Sequence, residues 1–302
     1  MSQELIWGVD LGGSKIECAV LKHDSLDVLF RERISTESEG GAAHILSRIA
    51  TILNQAKKET GRSPQILGIG TPGTLDKSLG VLKNSNTICL NGFPLKIELE
   101  TTIGIPVSIA NDANCFALAE TLLGVVPEQC PEAKVIFGVI LGTGVGGGVV
   151  VNGQILNGLH GIGGEWGHIQ LEQGGEDCYC GSKGCVERVI SGPALERYYT
   201  KLSGNHLPLS DIALRQLSDD HAAATIRHLV EMFGKGICQV INVLDPDAIV
   251  IGGGVGNLDA LYENGPGEIE KHIFNHSFQG KLLKPSLGDS AGVFGAAMLV
   301  RD

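Results

Sequence analysis

Two segments of this chain repeat one pattern at an offset of 130 residues, and that repetition limits the folds open to it. Ile6-Trp7-Gly8-Val9 returns as Ile136-Phe137-Gly138-Val139, and Leu11-Gly12 returns as Leu141-Gly142. The apolar run resumes after the glycines in both copies, with Val20 matching Val150. Apolar runs joined by short glycine loops read as hairpins, and their recurrence implies two halves of similar topology. A generic likeness among β-rich segments is the alternative. At 302 residues the chain has room for two domains of roughly 100 to 200 residues each.

The rest of the pattern alternates strands and helices. Strands are expected at Gln65–Gly70, Val107–Ala110 and Ala248–Ile251, the last bounded by Gly252-Gly253-Gly254. Helical spacing is expected over Ala42–Glu59, Ala113–Leu123, Ala222–Leu244 and Ala291–Val300. The class is α/β. An N-terminal α/β domain is expected over residues 1–120 and a C-terminal one over 121–290, with the closing helix 291–302 returning to the first.

Composition narrows the function. Lys plus Arg number 23 against 34 Asp plus Glu, a net charge of −11, which disfavours nucleic-acid and anionic-membrane partners. A small-molecule ligand fits better. Val135–Val151 is nearly apolar but carries six glycines in 17 residues, too short and interrupted to span a bilayer, so it is expected to be a core strand pair. The first ten residues lack the basic and apolar regions of a signal peptide, and a cytoplasmic protein with reduced thiols is expected. Cys18, Cys89, Cys115, Cys130 and Cys238 read as small buried hydrophobes.

Two loops suit phosphate. Asp10-Leu11-Gly12-Gly13-Ser14-Lys15 sits at the turn of the first hairpin, where small residues expose several backbone N–H groups at one point. Lys15 can add positive charge and Asp10 can hold magnesium through water; a plain turn with an exposed lysine is the alternative. The second loop, Gly142 to Gly148 with Thr143, contains G-x-G-x-x-G at 142, 144 and 147. A dinucleotide fingerprint must open a helix, whereas this one leads into the β-run Val149-Val150-Val151. Neither loop fits G-x-x-x-x-G-K-[ST].

Two further constellations carry chemistry. Asn111-Asp112 ends a strand and opens a helix, where a carboxylate can accept a proton from an attacking hydroxyl or simply cap the helix. His168, Cys178, Cys180 and Cys185 supply one imidazole and three thiolates with the spacing H-x9-C-x-C-x4-C, a set that suits a closed, structural zinc site. Gly181 and Gly184 supply turns for the thiolates to converge. With one ring nitrogen on the metal, the other nitrogen of His168 is expected to become a fixed donor toward substrate.

Asp10 to Lys15, Gly142 to Gly148, Gly164-Glu165-Trp166-Gly167-His168, the cysteine cluster and Gly252-Gly253-Gly254 together resemble the ROK family of sugar kinases and regulators over nearly the whole chain. The family usually has Thr where this chain has Ser14, and a hydroxyl is kept. The resemblance implies a duplicated actin-like ATPase (ribonuclease H-like) fold, two domains around a central cleft, with a zinc module at 165–187. It implies ATP, Mg2+ and structural Zn2+, and a homodimer. Asp112 becomes the base; Gly73, Asn86, Asn111, Asp112 itself, Glu165, His168 and Glu187 become sugar contacts; Asp10, Gly12, Gly13, Ser14, Lys15, Gly142, Thr143, Gly144, Gly146, Gly253 and Gly254 become the ATP site.

The activity so implied is ATP-dependent phosphorylation of a free hexose at its 6-hydroxyl. Lys83-Asn84-Ser85-Asn86, Asn91-Gly92-Phe93-Pro94 and Gly164-Glu165-Trp166-Gly167-His168 look most like the fructokinase and mannokinase branch, so fructose is expected, with mannose or glucose as further substrates. The glucokinase branch and N-acetylglucosamine or N-acetylmannosamine kinases are the alternatives within the family. Rival classes make different demands: a sugar-responsive repressor needs a DNA-binding segment before Asp10, a dinucleotide oxidoreductase needs a helix after Gly147, and an actin-like assembly protein leaves the cysteine cluster without a role.

Overall fold

The computed structural model describes residues 4–301; Met1–Gln3, in the expected first domain, and Asp302, in the expected closing helix, lie outside the described residues. The chain forms two compact units. The first comprises the chain through Leu123, Ile155–Gly163 and the chain from Leu287 onward; the second comprises Gly124–Gln154 and Gly164–Ser286.

The first unit begins with β1 (Leu5–Leu11), β2 (Lys15–Lys22), β3 (Val28–Ser35), α1 (Gly41–Thr60) and β4 (Leu67–Thr71). A small hairpin, β5 (Thr74–Asp76) and β6 (Val81–Lys83), leads to α2 (Leu95–Ile103), β7 (Val107–Asn111) and α3 (Asp112–Leu122). Its sheet has the order β3-β2-β1-β4-β7. The first three strands pair antiparallel and β1, β4 and β7 pair parallel. Helix α1 buries Ile45, Ile49, Ile52, Leu53 and Ala56, the i, i+3, i+4 stripe of an amphipathic helix, and stops at Gly61 in the left-handed conformation, which glycine adopts without strain.

The second unit repeats the plan. It runs α4 (Val125–Gln129), β8 (Val135–Leu141), β9 (Val145–Val151), β10 (Gln154–Ile155), α5 (Val186–Ile190), α6 (Gly192–Ser203), α7 (Leu209–Arg215), α8 (Asp220–Leu244), β11 (Ala248–Gly252), α9 (Ala260–Glu263), α10 (Gly265–Glu270) and β12 (Lys281–Leu283). Its sheet order, β10-β9-β8-β11-β12, matches the first strand for strand. Pairing is antiparallel at β8/β9 and parallel at β8/β11 and β11/β12. Asp219 caps α8 by accepting from the N–H groups of His221 and Ala222 at 2.8 and 3.3 Å. The core is organised by Trp166, edge-on to Phe137 and Phe233 with centroids 6.0 and 6.4 Å apart, contacts worth about 0.5–1.5 kcal/mol each beyond area burial.

Helix α11 (Ala291–Met298) closes the chain on the first unit. Glycines make that approach possible: a Cβ on Gly8 of β1 would lie 2.4 Å from Ala297 N, and one on Gly295 would lie 1.8 Å from Cys115 O of α3. Two expectations need correcting. Ile155–Gly163 was expected with the second domain but packs with the first, where a Cβ on Gly161 would meet Thr74 Cγ2 at 2.7 Å. Cys89 and Cys130 are not buried: Cys89 lies in the short turn Ile88–Leu90 and Cys130 ends α4, where local chain geometry, not an apolar face, sets their position.

Candidate functional sites in the two units

In the first unit, β1 carries Asp10 to the edge of the Gly12–Ser14 loop, in register with Glu17 on β2. The loop is closed by Gly12 N donating to Lys15 O at 2.9 Å and is braced by Thr36 Oγ1 donating to Gly12 O at 2.7 Å. Gly13, Ser14 and Lys15 are exposed. Burial, then the charges of Asp112 and Glu17, push the Asp10 carboxyl up to about 7, with Lys15 and Arg33 opposing. A carboxyl that holds its proton that tightly is short of positive charge, which is the deficit a divalent cation would fill.

Glu17, which the sequence reading did not single out, explains how this hairpin tolerates its charges. Its side chain is 1% exposed, and Arg31 Nε and Arg33 Nε lie 2.7 and 2.8 Å from its two oxygens. The two arginines are themselves 42% and 34% exposed, so each pair contributes less than a fully buried one, while losing both would leave the Glu17 charge buried without a partner. The available signal was a lone Glu inside the apolar run Ile16–Leu21, followed by two arginines on the next strand.

Asp112 sits where β7 ends and α3 begins. The cap is Asn111: its Oδ1 accepts from Ala113 N at 2.9 Å while its Nδ2 donates to Gly73 O at 3.2 Å. Asp112 also accepts from Ala113 N, at 2.7 Å. It is exposed to solvent, yet crowding by surrounding protein raises its pKa against the Ala113 and Asn111 hydrogen bonds. Solvent contact limits the size of that rise and not its direction. Gly73 has φ +83, and a Cβ there would lie 2.5 Å from Lys83 O, so the turn that offers its carbonyl to Asn111 requires glycine. Asn86 is exposed and accepts from Thr87 Oγ1 at 3.5 Å.

The second unit holds the other loop and the cysteine module. The loop runs Gly142–Gly144, closed by Gly142 N donating to Gly144 O at 2.9 Å, and continues into β9. No helix follows, so the dinucleotide pattern is void. Gly147 serves packing: a Cβ there would lie 2.6 Å from Gly164 O and 2.8 Å from Trp166 Cδ1. Thr143 is exposed and Gly146 O accepts from Trp166 Nε1 at 3.0 Å. After β11, a Cβ on Gly253 would lie 2.2 Å from Leu141 O, whereas Gly254 faces open space.

Glu165 precedes the turn Trp166–His168 and His168 ends it, with His168 N donating to Glu165 O at 3.4 Å. Cys178 Sγ lies 3.6 Å from His168 Nδ1 and Cys180 Sγ lies 3.6 Å from Cys185 Sγ. All four ligand atoms fall within 4.8 Å of one another. A tetrahedral zinc with Zn–S of about 2.3 Å and Zn–N of about 2.0 Å spaces its ligands about 3.5 to 3.8 Å apart, which the two 3.6 Å pairs match, so the donor set suits such an ion. The Ser182 N–H draws the Cys180 thiol down to about 6, and burial pushes Cys185 up to about 12; a central cation would favour thiolate at both. Gly184 packs its Cα against the chain, a Cβ there meeting Glu172 O at 1.9 Å.

Three features of this module escaped the sequence reading. Glu187 Oε2 accepts from Val145 N at 3.0 Å, tying the cysteine module to the glycine loop. Glu176, two residues before Cys178, is gripped by Arg188 at 2.7 Å and Arg197 at 2.9 Å. The Nε2 of His168, expected to point free toward substrate, is 3.0 Å from the hydroxyl of Tyr179. Nothing in the spacing of the ligands marks the residue between two cysteines as a partner for the imidazole.

The ROK family model matches residues 6–302. The chain is 33% identical over 306 residues to an N-acetyl-D-glucosamine kinase of Vibrio cholerae serotype O1, covering 98% of this chain and 99% of that protein. Among solved structures it is similar to a ROK hexokinase from Thermus thermophilus, with TM-score 0.85, 32% identity and coverage of 98% and 97%. It is also similar to a ROK family glucokinase from Streptomyces griseus solved with glucose and AMPPNP, with TM-score 0.79, 28% identity and coverage of 98% and 99%.

Proposed function

The chain belongs to the ROK family of sugar kinases and has its duplicated actin-like ATPase fold, and on that premise we propose that it transfers the γ-phosphoryl group of ATP to the 6-hydroxyl of N-acetylglucosamine. The observation that carries the reaction is Asp112, a carboxylate at a strand end with its pKa raised, a better proton acceptor than an ordinary aspartate. Asp112 takes the proton as the sugar oxygen attacks. The exposed N–H groups of the two glycine loops, with Lys15, bind the phosphates, and Asp10 is the group that would hold Mg2+ through water, which supplies charge neutralisation at the transferring phosphoryl group. Gly73, Asn86, Asn111, Glu165, His168 and Glu187 bind the sugar, with Gly253 and Gly254 completing the nucleotide site.

The sugar assignment departs from the expected fructose. The Vibrio cholerae relative is named for N-acetylglucosamine, and two of the three segments that suggested fructose have residues engaged in their own loop. Asn91 Oδ1 accepts from Ser85 N and its Nδ2 donates to Ser85 O, both at 2.8 Å. Asn84 takes a left-handed φ of 57, and Lys83 pairs with Asp76 at 3.1 Å. Such a loop is compatible with several sugars. His168, Cys178, Cys180 and Cys185 are read as a structural zinc site that orients His168. No helix among the described residues is long and apolar enough to cross a membrane, in keeping with a cytoplasmic enzyme, and a homodimer is part of the same reading.

A coupled ADP-release assay with N-acetylglucosamine, N-acetylmannosamine, glucose, mannose and fructose tests the assignment. The highest kcat/KM is expected for N-acetylglucosamine; a tenfold preference for fructose would restore the fructokinase reading, and absence of turnover with every sugar would remove both.

A further inference from the structure

The exposed Tyr179 stands between two proposed metal ligands, Cys178 and Cys180, and its side chain is 76% exposed as a residue yet pinned by its tip. Its hydroxyl is 3.0 Å from His168 Nε2, and the two rings meet edge-on with centroids 5.1 Å apart at 84°. The same hydroxyl is within electrostatic reach of Glu187 and Glu165. Tyr179 therefore touches His168 and lies in the field of Glu187 and Glu165, although no resemblance assigned it a role.

The chemistry of the imidazole fixes the direction of the bond. Nδ1 faces Cys178 Sγ at 3.6 Å, on the side of the thiolate cluster. With a metal on Nδ1, that nitrogen would carry no proton, so the ring proton would reside on Nε2 and be donated to the tyrosine oxygen. A phenol oxygen and a sugar hydroxyl oxygen are the same kind of acceptor for that N–H. One N–H directed at one oxygen cannot serve both at full strength.

We propose that Tyr179 is an affinity-setting placeholder in the sugar site: its hydroxyl occupies the Nε2–H donor of His168 that a sugar hydroxyl takes on binding. This rests on the sugar-kinase reading above. In the empty site the tyrosine keeps the imidazole oriented; on binding, a ring hydroxyl displaces the phenol, and the exposed side chain swings into solvent. The displaced bond is a cost set against every sugar that binds, so Tyr179 weakens sugar affinity while leaving proton transfer at Asp112 untouched.

Tyr179→Phe removes the oxygen and keeps the ring. Titration calorimetry with N-acetylglucosamine in the absence of ATP should show Kd falling about 2- to 10-fold, the net worth of one hydrogen bond. KM for the sugar should fall in proportion with kcat unchanged, and metal content per chain should equal that of the wild type. An unchanged or weaker Kd with metal retained would overturn the proposal. A second measurement needs no variant: in wild-type protein with 15N-labelled histidine, the Nε2–H signal of His168 should shift on adding N-acetylglucosamine, and a signal that stays in place would also overturn it. The two readings fail separately. If wild-type protein binds no hexose in the panel, the sugar assignment fails; if it binds one and Tyr179→Phe does not bind it more tightly, only the placeholder fails.

Discussion

The two hairpins β1–β2 and β8–β9 have the same three-residue loop and the same place in their sheets, but they divide the chemistry unequally. At the repeat offset, Asp10, Lys15 and Glu17 of the first correspond in sequence to Ile140, Val145 and Gly147 of the second. The first hairpin concentrates charge: a carboxyl pushed up to about 7 beside a buried glutamate held by two arginines. The second carries none on its strands and offers backbone, with Val145 N held by Glu187. On the proposed reading, the duplicated scaffold supplies two phosphate-binding loops, while cation binding and proton transfer fall to residues of the first unit and the metal-oriented imidazole to the second.

If that division holds, the largest effect comes from the first unit. Asp112→Asn should lower kcat by about 10²- to 10⁴-fold with sugar Kd within a few-fold of wild type; retention of wild-type kcat would place the base elsewhere. Perturbing the second unit should act on binding instead. Cys185→Ser, or metal removal by chelation, should raise sugar KM about 10- to 100-fold and speed hydrogen exchange over 165–187, and an unchanged KM in metal-free protein would uncouple His168 from the sugar.

Smaller effects sharpen the contrast within each hairpin. Gly147→Ala should destabilise by roughly 1–3 kcal/mol, because its Cβ would meet Gly164 O at 2.6 Å, whereas Gly142→Ala enters open space and should leave Tm unchanged. Asp10→Asn should change stability only slightly, visible as a pH trend. Below about pH 4 the carboxyl is protonated in both folded and unfolded chains and costs nothing. Between the ordinary value of 3.8 and about 7 the unfolded chain gives up the proton first, so wild-type stability falls as pH rises, and the loss is complete above about 7. The variant should therefore gain on wild type over that window in the absence of nucleotide. Solvent screening and the lost partner of Lys15 and Arg33 keep the gain on the order of 1 kcal/mol. A gain already present at pH 4 would mean that Asp10 is destabilising for another reason.

Much of the scaffold could be read before folding because it rests on local rules. The repeat of Ile6–Val9 at Ile136–Val139 anticipated two sheets of one order, and alternation of periodicities anticipated α1, α8 and α11 to within about two residues. The Cys3His set was visible because metal ligands are few and chemically distinctive. Long-range packing was not visible. That Ile155–Gly163 belongs with the first unit depends on Gly161 meeting Thr74, and that Glu187 holds a loop amide depends on a fold that brings residues 42 apart into contact. Tyr179 shows the sharper limit, since spacing announces which side chains can bind a metal and is silent about what the imidazole does with its other nitrogen. The choice among sugars was not legible for a related reason: Asn84 and Asn91 shape a loop, and a loop-shaping asparagine leaves the same mark in sequence as a sugar-binding one.

The most direct test of the central claim is the product itself. Wild-type enzyme with Mg·ATP and N-acetylglucosamine, followed by phosphorus–proton correlation NMR, should yield one product with phosphate coupled to the C6 protons, and Asp112→Asn under the same conditions should yield almost none. Phosphate coupled to the anomeric proton, or product formed equally well without the Asp112 carboxylate, would contradict the account.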